Sequence, residues 1–257
     1  MNCHWPDLLA QSLDAQVPNF EVPPPLPEAP RIDATAISFI GYGRIVKQKH
    51  LPALQFLGFT GSIAAFDLRE SMDQKTGQRI RALGEQLPGT AALHVVATPG
   101  PVHTSAVEAL EAAEGPVLVE KPLCVSTKEL QHWRRFAASR RWPVFVCHNY
   151  RFKRNVRRMS DFLRNHNPGE LKHVSLHFQS PSVLADSVAW LRSERAARTL
   201  LIDYSVHFLD LACMFGRGEW ELESCQHQVD QNGHTSLIMG SFSANYRVSF
   251  HLRQSFA

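Results

Sequence analysis

The chain has 257 residues, 44% hydrophobic and 20% charged, with a formal net charge of +3 and a sequence pI near 8.7. That composition carries enough apolar material for one large domain or two modest ones, and an aromatic share of 9% at so small a net charge argues against disorder. No uninterrupted apolar run of about 18 residues offers a membrane span, and the five cysteines (Cys3, Cys124, Cys147, Cys213, Cys225) lack CxxC spacing, which argues against a disulfide framework or structural zinc. The N-terminal MNCHWPDLLAQSLD shows neither a basic stretch leading into an apolar one nor a twin-arginine signal, so a cytoplasmic protein is expected.

Residues 1–33 stand apart, because seven of the sixteen prolines fall within the first thirty positions. A short helix is expected around Trp5 to Ala15, and Pro23 to Pro30 should be stiff and extended because proline fixes φ and removes a donor. From Ala36 onward, short apolar runs alternate with helical segments. Strands are expected at Ala36–Ile40, Ser62–Phe66, Ala92–Ala97, Val117–Val119 and Val144–Cys147. Helices are expected at Arg44–Phe56, Gln74–Leu87, Val102–Ala113 and Thr127–Ser139, the last capped by the Ser126/Glu129 pair with Leu130, Trp133 and Phe136 on one face. Such alternation builds a parallel sheet with helices on both faces.

The later part changes period. His173–Phe178 and Tyr246–Arg253 alternate strictly between apolar and polar, and Glu221–Val229 and Thr235–Phe242 add further strands. A mostly antiparallel open sheet follows, covered on one side by helices at 155–166 and 203–215. The domain reading is therefore a proline-rich extension (1–33), a doubly wound nucleotide-binding domain (34–148) and a shortened α+β domain (149–257) for substrate binding and self-association, most simply as a dimer through its sheet.

Gly41-Tyr42-Gly43-Arg44-Ile45-Val46 follows a strand and opens a helix. Glycines there allow a tight turn and let the backbone approach a pyrophosphate, whose charge the helix N-terminus favours. Val46 takes the place of the customary third small residue and should push the helix away from the strand. Asp67 ends the second strand, 24 residues after Gly43, where a carboxylate hydrogen-bonds the adenosine ribose. That favours NAD, while Arg69 leaves NADP open as a partner for a 2′-phosphate.

With His50-Leu51-Pro52-Ala53-Leu54 added, this opening resembles that of the Gfo/Idh/MocA oxidoreductases, the glucose-fructose oxidoreductase and inositol dehydrogenase family. Four later segments are similar in order and spacing: Val96-Ala97-Thr98-Pro99 followed by His103, the Glu120-Lys121-Pro122-Leu123 segment, His148-Asn149-Tyr150-Arg151-Phe152, and the D-x-x-x-H stretch from Asp203 to His207. The resemblance spans residues 36–255. It implies an N-terminal Rossmann domain followed by an α+β domain, and an NAD(P)-dependent dehydrogenase or reductase of a small polyol, sugar or related carbonyl or imine compound. Gly41, Gly43, Arg44, Ile45, Asp67, Arg69, Thr98, Pro99, His103, Glu120 and Lys121 would line the cofactor. Lys121, Asp203 and His207 would carry catalysis, with His207 or Lys121 handling the alcohol proton while hydride moves to or from nicotinamide C4. Asn149, Tyr150, Arg151 and His207 would meet substrate, although the first three serve equally to bridge the two domains.

The residue chemistry agrees. Lys121 sits at a strand C-terminus, the edge where open α/β sheets bind ligands, and can hydrogen-bond a substrate oxygen. Asp203 and His207 are i and i+4 and project from one helix face. The segment Arg195–Leu200, glycine-rich in the family, carries side chains here that narrow or recharge the substrate space, with Arg198 placed to meet an anionic substrate. His173 and His177 share a strand face, but no third ligand makes a metal site of them. No GxxxxGK[ST] or G-x-S-x-G motif occurs, and Tyr150 is followed at i+4 by Arg154 rather than lysine, which removes P-loop, hydrolase and short-chain dehydrogenase readings. The basic pairs 134/135, 140/141 and 157/158 lie on solvated helix faces, so nucleic acid is not an expected partner. The alternative is a non-catalytic nucleotide-binding subunit or sensor working through a protein partner.

Overall fold

The computed structural model describes residues 36–83, 91–166, 172–181, 194–215, 220–230, 233–242 and 247–255. The proline-rich extension expected over 1–33 lies outside them. Seven strands form the first sheet: β1 (Ala36–Ile40), β2 (Ser62–Asp67), β3 (Ser71–Met72), β4 (Arg79–Ala82), β5 (Leu93–Val96), β6 (Val117–Val119) and β7 (Val144–Val146). Their order is β3-β4-β2-β1-β5-β6-β7, parallel throughout except for the β3–β4 pair at one edge. The order reverses between β2 and β5 around β1, so the mouth of β1 is the topological switch point where ligands collect.

Both faces of this sheet are covered, and neighbouring side chains on one strand serve different cores. Ile37, Phe39 and Val95 pack with Tyr42 and Val46 on one side. Ile40, Val96, Val117 and Val119 pack on the other with Leu110, Trp133 and Phe136. A π-helical turn at Val46–His50 leads into α1 (Leu51–Phe56), and the fully buried Val46 begins that widened turn. A 3₁₀ turn at Gly100–Val102 precedes α2 (Ser105–Leu110). Helix α3 (Thr127–Ser139) starts as read from the sequence, with Ser126 Oγ accepting the Glu129 N–H. The Glu129 carboxylate itself accepts from Val125 N at 2.7 Å.

One expectation fails. The segment predicted as a helix over Gln74–Leu87 holds instead the turn and the β4 strand of the β3–β4 hairpin, and its residues 84–87 lie outside the described residues. Asp73 accepts from Lys75 N, and the Gly77 N–H returns to the Asp73 carbonyl at 2.8 Å, which is turn chemistry that a continuing helix would forfeit. Beyond the turn Arg79, Ile80 and Arg81 alternate out, in, out, and Ile80 is captured by the sheet core.

The second sheet has the order β8-β11-β10-β9, made of β8 (His173–Pro181), β9 (Trp220–Asp230), β10 (Gly233–Phe242) and β11 (Arg247–Ser255). Two of its three pairings are antiparallel and β8–β11 is parallel. Helices α4 (Arg154–Asn165) and α5 (Glu194–Phe215) accompany it. Helix α5 begins before Asp203, where the sequence reading started it, because Arg195–Leu200 consists largely of strong helix formers without glycine.

Arg140 closes the loop between α2 and β6 by donating to the carbonyls of Leu110, Ala113 and Gly115 at 2.8, 2.7 and 3.0 Å. Replacing it with Met leaves these carbonyls without their donor, so Arg140→Met should lower the free energy of unfolding by about 2 kcal/mol, read from urea denaturation.

Candidate functional site

The C-terminal ends of the parallel strands meet along one edge, and the candidate residues stand there in strand order. At the end of β1, Gly41 has φ +88°, and a Cβ on it would lie 2.6 Å from Thr98 N and 2.8 Å from Ala97 C. Only glycine lets the β1 turn lie against the β5 loop so closely. Gly43 is the reverse case, exposed and with open space where its Cβ would be. Arg44 is exposed beside it and Ile45 is half-buried.

Asp67 ends β2 and braces this turn: Oδ2 accepts from Tyr42 N at 2.9 Å and Oδ1 from Leu68 N at 2.7 Å. Each carboxylate oxygen retains a further lone pair. Arg69 is exposed on the same loop. After β5 come Thr98, whose Oγ1 is buried without a partner among the described residues, and the exposed Pro99.

His103 is fully buried and links two loops. Its ring nitrogens lie 2.8 Å from the Pro122 carbonyl and 2.6 Å from the Thr98 carbonyl. Burial outweighs the pull of these carbonyls and pushes the ring's pKa down.

Glu120 and Lys121 follow β6, and the Lys121–Pro122 bond is cis. Glu120 Oε1 accepts from His50 Nε2 at 2.8 Å. Burial alone would raise the Glu120 carboxyl, but His50, the Cys147 thiol and the Lys121 amide together hold it below the usual carboxylate range. The same contact works in reverse on Cys147. Burial, then the charge of Glu120, pushes that thiol up to about 12, so it is no thiolate nucleophile.

Past β7, a 3₁₀ turn at Asn149–Phe152 carries the chain toward the second sheet. Arg151 does not reach outward from it; its guanidinium grips Asp210 of α5 in a two-pronged pair, with Nε to Oδ2 and the other arm to Oδ1 both at 2.6 Å. The pair brings His207, one turn earlier on α5, against Tyr150, with rings parallel within 8° and centroids 4.1 Å apart. Asn149 is exposed. Arg198 and Asp203 lie on α5, but their side chains are outside the described residues.

His207 is 5% exposed, and its Nδ1 has no partner among the described residues. Burial first, then the positive charges of Lys121, His148 and Lys153, lower its pKa to about 4, against a smaller opposing pull from Glu120. Lys121, after β6, and His207, on α5, are thus brought within electrostatic reach of one another. The sequence reading passed over His148, Lys153 and Asp210 as functional positions. His148 opens the quoted His148–Phe152 segment and Lys153 directly follows it, while Asp210 is the i+3 neighbour of His207, for which helical periodicity was the available signal.

Among solved structures, the chain is similar to a dehydrogenase from Chromobacterium violaceum, with a TM-score of 0.63 at 22% identity over 85% of this chain and 65% of that one. An oxidoreductase from Thermotoga maritima gives 0.68 at 14% identity over 85% and 72%. A candidate myo-inositol dehydrogenase from Sinorhizobium meliloti gives 0.65 at 14% identity over 86% and 69%. The chain spans less than two thirds of the length of the first of these. At such identities the likeness establishes the fold, an α/β architecture of Rossmann type. No protein-family model matches the chain, and no curated protein matches it. No described helix is long and apolar enough to cross a membrane.

The protonation of His207 has a consequence for stability. An unfolded histidine binds its proton near the ordinary 6.5, whereas folded His207 does so only near 4. Between those values the unfolded state holds more protons, so stability falls as pH drops from 6.5 toward 4. His207→Gln should flatten part of that acid slope in urea denaturation at stepped pH, and a slope unchanged from the parent would contradict the assignment.

Proposed function

We propose that this chain is an NAD(P)-dependent oxidoreductase acting on a small polyol, sugar or related carbonyl or imine compound, with NAD favoured by the carboxylate of Asp67. One observation carries the reading. A bare, exposed Gly43 backbone and Lys121 stand at strand ends of one sheet edge, and α5 brings a buried histidine, neutral at ordinary pH, within electrostatic reach of Lys121.

The residues present suit a dinucleotide. Open space over Gly43 leaves room for a pyrophosphate at the start of a helical segment, and the orphaned Thr98 Oγ1 supplies a polar group farther along the edge. Gly41, Gly43, Arg44 and Ile45 would hold the phosphates, Asp67 and Arg69 the adenosine ribose, and Thr98, Pro99, His103 and Glu120 the nicotinamide half. Bound there, the nicotinamide supplies a C4 atom that accepts or gives hydride.

The chain's own groups then divide the proton work. Lys121 Nζ donates a hydrogen bond to the substrate oxygen, favouring the charge that develops on it. His207, neutral above its low pKa, takes the hydroxyl proton in the oxidation direction and returns it in reduction. Asp203, one turn before His207 on α5, orients or charge-balances that pair. Tyr150 and Asn149 face the substrate side, while Arg151 holds the turn that presents them.

Fluorescence titration with NAD and NADP, followed by a screen of polyols, sugars and imines at the reduced-cofactor absorbance, tests the reading. Turnover should appear, and Lys121→Ala should lower kcat by about 10²- to 10⁴-fold. Tight cofactor binding with no turnover across the screen would favour a non-catalytic nucleotide-binding subunit instead.

A further inference from the structure

Tyr150 has a neighbour on each face. The His207 ring lies parallel to it with centroids 4.1 Å apart, and Lys153 Nζ sits 3.4 Å from the same centroid. Two groups so close above one ring centre would overlap if they shared a face, so they occupy opposite faces in the order Lys153, Tyr150, His207. The surrounding backbone holds this order. Lys153 caps the 3₁₀ turn by donating its N–H to the Tyr150 carbonyl at 3.1 Å, and the Arg151–Asp210 pair anchors the turn to α5. Phe208 meets the Tyr150 ring edge-on at 6.2 Å and 90°.

An aromatic face attracts a cation through its quadrupole. Once an ammonium occupies one face of Tyr150, an imidazolium on the other gains less from the ring and meets a positive charge behind it. A neutral imidazole stacks there without that cost. The charged and titratable groups acting on His207 come from several elements: Lys121 and Glu120 from the end of β6, His148 and Lys153 from either end of the 3₁₀ turn. Asp210, gripped by Arg151, also lies 3.8 Å from His148 Nε2, and Asp203 precedes His207 on its own helix. Of these, Lys153 acts through a ring in direct contact with His207.

We propose that Lys153 is a positioning residue for the oxidoreductase reaction, keeping an ammonium on the far face of Tyr150 so that His207 on the near face takes up a proton only at a lower pH than it otherwise would. This rests on the reading of His207 given above. Lys153 is exposed, so substitutions there should leave the fold intact, which the thermal midpoint verifies.

The test is an NMR pH titration of the His207 ring in the full chain, with its resonance assigned by loss in His207→Gln, for the parent and for Lys153→Met, Lys153→Arg and Lys153→Glu. Lys153→Met should move the midpoint up from about 4 by roughly half a pH unit, as expected for one charge acting across a ring. Lys153→Glu should move it further and Lys153→Arg should restore the parent value. The loss of stability on acidification from pH 7 through the folded midpoint near 4, read by urea denaturation, should shrink in the same order. The acid limb of kcat/KM should rise with the titration while cofactor affinity stays unchanged. Parent-like titrations and acid slopes in both Lys153→Met and Lys153→Glu would overturn the proposal. A shifted His207 titration in a chain that turns over no substrate would uphold the role of Lys153 in setting His207 protonation and remove the oxidoreductase reading.

Discussion

The pairing of Arg151 with Asp210 joins two parts of the chain 59 residues apart and sets the geometry of nearly everything else at the site. Arg151 leaves the end of the seven-stranded sheet, and Asp210 belongs to the helix that carries His207. A guanidinium fork on a carboxylate fixes direction as well as distance, because two parallel bonds resist rotation where one does not. Asp210 is almost wholly buried while Arg151 remains partly exposed. Much of the attraction therefore offsets desolvation, and the contribution of the pair lies more in register than in stability. With that register, Tyr150 faces His207 and Lys153 backs Tyr150; a helix rotated or slid by one residue would present a different side chain.

Around this hinge the structure sends two ionisable groups in opposite directions. Glu120 is buried yet kept as a carboxylate, since His50 and its neighbours outweigh the cost of desolvation. His207 is buried and kept neutral, since burial and the cations around it act in the same sense. Separating two titratable groups in this way is how a protein provides a fixed charge and a proton acceptor side by side. The glycine turn meets the same edge from β1, held against the β5 loop at a distance that admits no side chain at Gly41. His103 then connects that β5 loop to the segment that bears Lys121, so the loops along this edge are tied to one another.

The parts legible in the sequence are those governed by local periodicity. The β1, β2, β5, β6 and β7 strands are short apolar runs between turn residues, and α3 announces itself by its cap and by the spacing of Trp133 and Phe136. The hairpin of β3 and β4 escaped because its partner is the sheet edge. Ile80 alternates with arginines over too few residues to outweigh a helical reading, and only its burial against Ala65 and its neighbours decides the matter. Helix α5 was placed too late because the helix-forming residues before Asp203 were read as a separate segment shaping the substrate space. At the site, the positions lying at strand ends could be named in advance, but Asp67 could not be seen to spend two of its lone pairs on the turn it supports, nor Arg151 to turn inward.

The sequence by itself determined the alternating β and α elements, the change of period that separates two kinds of sheet, and the residue types available at each strand end. These follow from hydrophobic spacing, glycine and proline, which act over a few residues. Only the tertiary structure decided which ionisable groups face one another, because charge, desolvation and ring stacking depend on distances between segments far apart in the chain. The neutral state of His207 is the clearest instance: its own neighbours in sequence leave it an ordinary histidine, and burial beside Lys121, His148 and Lys153 makes it a proton acceptor at ordinary pH.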